Sequence, residues 1–204
     1  MKIFCIGRNY IAHARELDNP VPASPVFFLK PDTALLRRNR PFYYPEFSSN
    51  IHYECELVVR ICKLGKGINP QFAHTYYEEI GIGIDFTARD LQDKAKAKGL
   101  PWEIAKAFDH SAPLSELFIN KNEFSGTDNI PFSLVKNGET VQQGNSGNMI
   151  FSIDALITYL SGFFTLKTGD LIFTGTPAGV GPVQPGDRLE AYIGDRLMLK
   201  CDIK

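Results

Sequence analysis

The segment His52-Tyr53-Glu54-Cys55-Glu56-Leu57-Val58-Val59-Arg60 constrains the chain more than any other. Its apolar, β-branched run reads as a strand, and alternate side chains of a strand share a face. Glu54 and Glu56 therefore project together. Two like charges side by side on a sheet repel unless a cation lies between them. A hard divalent cation held by carboxylate oxygens is one solution. Two glutamates facing water on an amphipathic strand is the other, and the stretch alone leaves both open.

On the N-terminal side, residues 2–6 read as a strand ended by Gly7, and 10–17 as a helix with Asn9 as its cap. His13 and Glu16 are three apart on that helix and share a face. A carboxylate beside an imidazole orients the ring and raises its basicity, as a general base requires, although a plain surface pair has the same spacing. Residues 18–25 (D-N-P-V-P-A-S-P) form a proline-rich loop. Residues 26–29 read as a buried strand delivering Lys30, which either reaches a ligand or snorkels to water.

Residues 38–50 are irregular, 53–62 form the central strand, and 69–79 a short helix with Asn69 as cap and Pro70 in its first turn. The next strand, 80–85, carries two glycines that permit close approach and ends on a third carboxylate, Asp85. It feeds a helix, 87–96, on which Arg89 and Gln92 share a face. Lys106 lies in an apolar stretch, where ligand binding and simple exposure are both open.

Farther on, 132–136 and 139–143 flank Asn137-Gly138, a strong hairpin signal. Residues 152–162 read as a capped helix ending in glycine, 171–174 as a strand, and 188–193 with 196–203 as a last antiparallel pair. The loop 175–181 lacks nucleotide-binding spacing; its amides and the Thr176 hydroxyl either hold a carboxylate or serve only the fold. With no βαβ rhythm, these elements predict a β-rich α+β fold. The core is a mixed β-sandwich roll or barrel with peripheral helices, one domain over 1–204.

A net charge of −1 gives no footprint for nucleic acid or an anionic membrane. No run approaches membrane-spanning length, and the apolar N-terminal stretch is too short for a signal-peptide core. Cys5, Cys55, Cys62 and Cys201 form no C-x-x-C pair, so reduced thiols in a cytoplasmic protein are expected. Glu54, Glu56 and Asp85 compose an all-oxygen set suited to Mg²⁺ or Mn²⁺ rather than Zn²⁺. Its open positions suit an α-keto acid, whose carboxylate and ketone oxygens chelate one cation. Lys30, Arg89 and Lys106 are candidate cations for such an anionic substrate. No G-x-S-x-G elbow is present, which disfavours a serine hydrolase.

Several motifs occur in order along nearly the whole chain: I-G-R-N-Y-I-A-H-A-R-E (6–16), F-L-K-P (28–31), H-Y-E-C-E-L (52–57), I-D-F-T-A-R-D-L-Q (84–92), K-G-L-P-W-E-I-A-K-A-F (98–108) and G-D-L-I-F-T-G-T-P-A-G-V-G-P-V (169–183). Together they resemble the fumarylacetoacetate hydrolase superfamily, most closely its short acylpyruvase/oxaloacetate decarboxylase branch. The resemblance implies a mixed β-roll, a homodimer and a divalent metal, Mg²⁺ or Mn²⁺ with Ca²⁺ able to substitute, on Glu54, Glu56 and Asp85. It implies His13 and Glu16 as the dyad that activates water. Gln92 and Lys106 match groups that hold substrate and oxyanion, and Lys30, Arg89 and Thr176 fall in motifs that line the site. The implied activity is hydrolysis of acylpyruvates such as acetylpyruvate or fumarylpyruvate to pyruvate and a carboxylic acid, with decarboxylation of oxaloacetate by the same site. A 2-hydroxyhepta-2,4-dienedioate isomerase or tricarboxylate decarboxylase activity, or a non-catalytic metal-binding relative, are its alternatives.

Overall fold

The computed structural model describes residues 1–16 and 20–204. The strand Cys55–Ile61 is buried on both faces along nearly its whole length. A strand covered on both sides has no polar face to alternate with, hence its continuous apolar run. It lies inside a six-stranded sheet ordered Val26–Lys30, Ile3–Gly7, Leu171–Phe173, Cys55–Ile61, Tyr77–Ile84, Ile119–Asn120. Neighbours are antiparallel except Ile3–Gly7 with Leu171–Phe173.

On one face of this sheet Leu57, Val59, Ile61, Ile80, Ile82 and Ile84 share a core with Phe132, Leu134, Leu189, Ala191 and Leu199. These last come from a second, antiparallel sheet ordered Glu139–Asn145, Pro131–Lys136, Arg188–Ile193, Arg196–Asp202. On the other face Val58, Ile3, Cys5 and Phe173 pack on Ala34, Ala112 and Leu114. The result is the expected β-rich roll. Close packing needs Gly83, where a Cβ would come within 2.5 Å of the Phe173 ring. The hairpin turn has Asn137 and Gly138 both at positive φ, 54° and 88°, as a two-residue type I′ turn requires.

Among the described residues four α-helices lie outside the sheets: α1 (Ile11–Glu16), α2 (Arg89–Lys98), α3 (Glu103–Lys106) and α4 (Ile153–Phe163). Helix α4 starts where Ser152 accepts a bond from the Ala155 amide, and buries Ile153, Leu156, Ile157 and Leu160 at helical spacing. Among the described residues no helix is long and apolar enough to cross a membrane.

Several elements differ from expectation. Val26–Lys30 is the outermost strand of its sheet, so its apolar residues are only half-covered; Lys30 alone is fully buried. Residues 70–76 form a 3₁₀ helix capped by Asn69, because the chain turns directly into Tyr77–Ile84. Thr87 and Ala88 pair with Ile51–Tyr53, which delays α2 to Arg89. Helix α4 runs through Gly162 and stops when Phe164 turns extended. Asn9 does not serve α1 as a cap; its side chain donates to the Phe151 and Thr174 carbonyls and accepts from the Phe151 amide. The last residue of the expected 10–17 helix and the start of the 18–25 loop lie outside the described residues. The four cysteines are free thiols.

Candidate active site

Glu54 belongs to neither of its flanking strands. It stands where the chain leaves Ile51–Tyr53, in a three-stranded sheet, and enters Cys55–Ile61 in the six-stranded one. Glu56 is the second residue of that strand, and Asp85 directly follows its partner strand Tyr77–Ile84, in the register Cys55↔Ile84. The Asp85 amide donates to the Glu54 carbonyl at 2.8 Å and closes the pairing one step beyond the strand ends. The carboxylates thus meet through a bend and a strand end as well as through alternation. One oxygen from each lies within 4.8 Å of the others, and none of the three residues is more than 6% exposed. Cys55, between the two glutamates, points into the hydrophobic core.

Three cations pair with two members of this cluster, Glu54 and Asp85. The Lys106 ammonium donates to Glu54 Oε2 and Asp85 Oδ2, both at 2.8 Å, and to Thr87 Oγ1 at 2.5 Å. Arg89 donates to Glu54 Oε1 and to Gln92 Oε1, both at 2.6 Å. Lys30 Nζ lies 2.8 Å from Asp85 Oδ1 and donates to the Ser111 hydroxyl and to the Lys106 and Phe86 carbonyls. Lys30 therefore neither snorkels nor lines the site cavity. It backs Asp85 from within the fold.

Glu56 is different. Its Oε2 accepts a bond from the Gly175 amide at 2.7 Å, and among the described residues no cation pairs with it. Gly175 holds φ 102°, and a Cβ there would sit 2.7 Å from that of Asn9, so only glycine brings this amide in. Burial, with the nearby Asp85 and Glu54 charges, pushes the Glu56 carboxyl well above its ordinary range. Burial acts on Glu54 in the same sense, but Lys106 and Arg89 overcome it and hold that carboxyl well below the ordinary range. Burial lowers Lys106, and Asp85 and Glu54 reverse this, so its ammonium stays charged. An oxygen-only donor set that includes a buried carboxylate without a counter-ion fits a hard divalent cation.

The displaced Glu56 carboxyl has a measurable consequence. Between the ordinary glutamate value of about 4.3 and its raised folded value, Glu56 holds a proton in the folded protein that the unfolded chain gives up, so this group's contribution to stability falls as pH rises through that window. A divalent cation displaces that proton. The rise in melting temperature on adding Mn²⁺ or Mg²⁺ should therefore be larger at pH 8 than at pH 5.5. Equal rises at the two values would show that Glu56 is not the group exchanged.

The dyad approaches from α1. His13 Nδ1 lies 3.3 Å from Glu16 Oε2, and the Glu16 carboxylate accepts from the Gly179 amide at 3.0 and 3.2 Å. An ionised carboxylate only accepts, so it selects the tautomer with hydrogen on Nδ1 and leaves Nε2 as the basic nitrogen. His13 lines one cavity with Glu54, Asp85, Arg89, Gln92, Lys106 and Thr176. That cavity is about 30 Å³, room for little more than a water, so ligand entry requires its wall to shift. The glycine-rich loop 175–181 does hold carboxylates with its amides, but they are the protein's own Glu56 and Glu16. The Thr176 hydroxyl donates to the Cys55 carbonyl.

Gln142 was not foreseen. Fully buried, it accepts from the Cys55 amide at 2.9 Å and donates to Thr176 Oγ1 at 2.8 Å and the Pro177 carbonyl at 3.0 Å. One amide side chain from the second sheet thereby ties the segment bearing Glu54 and Glu56 to the loop that holds Glu16.

Residues 2–203 match the family described as fumarylacetoacetate (FAA) hydrolase C-terminal. The chain is 46% identical over 189 residues to the oxaloacetate tautomerase YcgM of Escherichia coli K12, covering 92% of this chain and 86% of that protein. It is 42% identical over 202 residues to the mitochondrial oxaloacetate tautomerase FAHD1 of Bos taurus, covering 99% and 91%. The fold superposes on a crystal structure of fumarylpyruvate hydrolase from Pseudomonas aeruginosa in complex with Mn²⁺ and pyruvate. That similarity has a TM-score of 0.93 at 38% identity, over 100% of this chain and 89% of that one.

Proposed function

The chain belongs to the fumarylacetoacetate hydrolase family, and from that premise we propose that it acts on short 2-oxo acids and interconverts the keto and enol forms of oxaloacetate. The observation that carries this reading is that the His13–Glu16 pair and the carboxylate cluster line or adjoin one cavity. A base placed over a chelating site is what proton transfer next to a carbonyl needs. The names of the relatives at 42% and 46% identity support the substrate.

Glu54, Glu56 and Asp85 would hold a divalent ion, Mg²⁺ in this reading. Bound there, such an ion supplies an anchor for the carboxylate and ketone oxygens of a 2-oxo acid and polarises its C2 carbonyl. Nε2 of His13 removes a proton from C3 while the Glu16 carboxylate compensates the positive charge that develops on the ring. The C3 electron pair moves toward the C2 oxygen, which takes up the proton given back by the His13 imidazolium, directly or through water, to give the enol; the reverse steps restore the ketone, and no proton is gained or lost overall. Lys106 stays protonated and, with Gln92, donates toward the oxygen that becomes negative. All three Lys106 donors are taken by Glu54, Asp85 and Thr87, so this role requires one of them to be exchanged for the substrate oxygen.

A second reading keeps hydrolysis. The basic nitrogen that removes a C3 proton also takes one from water, and water added to the distal ketone of an acylpyruvate breaks the C3–C4 bond. The electron pair stays on C3, which is then protonated to give pyruvate and a carboxylic acid. The similarity to fumarylpyruvate hydrolase favours it. The test is turnover of oxaloacetate (followed by enol absorbance and by CO₂ release), acetylpyruvate and fumarylpyruvate, each with Mg²⁺ and with EDTA. EDTA-sensitive tautomerisation is expected to be fastest. EDTA-sensitive turnover of the acylpyruvates alone would move the chain to the second reading, and none for any substrate would leave a binding protein.

A further inference from the structure

The cavity is lined by two more cations that neither the carboxylate cluster nor the dyad uses, Arg8 and Lys96. Lys96 follows Gln92 by four residues and Arg89 by seven on α2, so the three share one face. Its ammonium lies 5.9 Å from the centre of the Trp102 ring, another wall of the cavity. Arg8 lies at the bend after Ile3–Gly7. It holds φ 59°, in the left-handed region that non-glycine residues seldom occupy.

What holds that bend is the neighbouring residue. Asn9 is fully buried, and its amide ties the bend to the Phe151 and Thr174 backbone through three hydrogen bonds. Strained backbone persists where its surroundings over-determine it, often at ligand clamps. Here the outcome is that Arg8 is held in the lining of the cavity.

Both cations are half-buried. Arg89 is spent on Glu54 and Gln92, whereas Arg8 and Lys96 form no ion pair among the described residues. Burial, then the charges of Arg89 and Arg8, push the Lys96 ammonium below its ordinary range, with Asp93 and Glu54 opposing. Like charges gathered at the edge of a cavity repel and gain most from an anion placed between them.

We propose that Arg8 and Lys96 form the subsite for the distal carboxylate of a 2-oxo dicarboxylic acid, so that they select such substrates over monocarboxylic 2-oxo acids. The inference rests on the 2-oxo acid reading above and adds to it the part of the substrate that the carboxylate cluster and the dyad do not touch.

Malate and lactate test it, because both carry a 2-hydroxy acid end for chelation and only malate has the distal carboxylate. Calorimetry on the Mn²⁺-loaded protein should show malate binding about 10-fold or more tighter than lactate, the scale of one charge-assisted contact. In Arg8→Gln/Lys96→Gln protein the ratio should fall to about one by loss of malate affinity alone, with lactate unchanged. In turnover the double variant should raise KM for oxaloacetate while kcat changes little. An unchanged malate-to-lactate ratio, or equal weakening of both ligands, overturns the subsite. If wild-type protein binds both equally yet turns over oxaloacetate, the subsite fails and the reaction stands. If it binds neither and turns over nothing, both fall together. A melting curve of the double variant with and without Mn²⁺ establishes that the fold and the carboxylate cluster are intact.

Discussion

Glu56→Gln should remove metal-dependent turnover by about 10³-fold or more, the few kcal/mol that Lewis-acid stabilisation supplies, and yet leave the metal-free protein at least as stable as the parent. The two halves of this result come from the same geometry. A glutamine side-chain oxygen still accepts from the Gly175 amide that bonds Glu56 Oε2 at 2.7 Å, so the packing and the bond at this position survive. What disappears is a carboxyl that burial and its acidic neighbours already keep protonated far above the ordinary range. Its replacement therefore removes an ionisation cost that grows with pH, while taking one of three anionic ligands from the cluster. Thermal melts with and without Mn²⁺, beside initial rates, check both halves. A variant that keeps the Mn²⁺-induced rise in melting temperature and its turnover would place the ion elsewhere.

His13→Ala should have the converse signature. Turnover falls by about 10²- to 10⁴-fold, the range for loss of a positioned general base, while the Mn²⁺-induced rise in melting temperature is retained. His13 is 5% exposed and touches the cluster only through the shared cavity and its field on Glu54. Its removal therefore leaves the three carboxylates and the cations around them in place. Glu16→Gln should lose less, because the ring survives and an amide oxygen still accepts from Nδ1, but the developing charge goes uncompensated. Spontaneous decarboxylation of oxaloacetate needs no base at all. A His13→Ala protein that still releases CO₂ but no longer tautomerises or hydrolyses would separate the chemistries. Undiminished tautomerisation and hydrolysis would remove the dyad from the mechanism.

The cluster was legible in the sequence because its members sit at places the chain marks locally: a charged pair before an apolar strand, and a carboxylate where a strand gives way to a helix. The i,i+3 spacing of His13 and Glu16 carried over in the same way. What was hidden acts across long stretches of chain. Gln142 sits in a strand of ordinary amphipathic pattern beside a second, exposed glutamine. Nothing local distinguishes the one that reaches Cys55, 87 residues away. Asn9 carries a good helix-capping residue type, but long-range partners 142 and 165 residues on outbid the local use. Lys30 follows an apolar strand in a pattern that fits snorkelling, and only the position of Asp85 behind it turns the charge inward. In these cases local preference was sound and tertiary context decided.

The ring of Lys30, Arg89 and Lys106 around the carboxylates bears on the order of events at this centre. Lys30, Arg89 and Lys106 already pair with Glu54 and Asp85, so a divalent cation would bring its charge to a nearly balanced neighbourhood. Its charge then becomes a surplus, because the three side-chain cations remain covalently tethered nearby. A dianionic acid is the ligand that cancels such a surplus. Loading of ion and acid should consequently be mutually reinforcing, each tightening the other by the same factor as thermodynamic linkage demands. In that description the side-chain cations would make the binding of ion and acid interdependent.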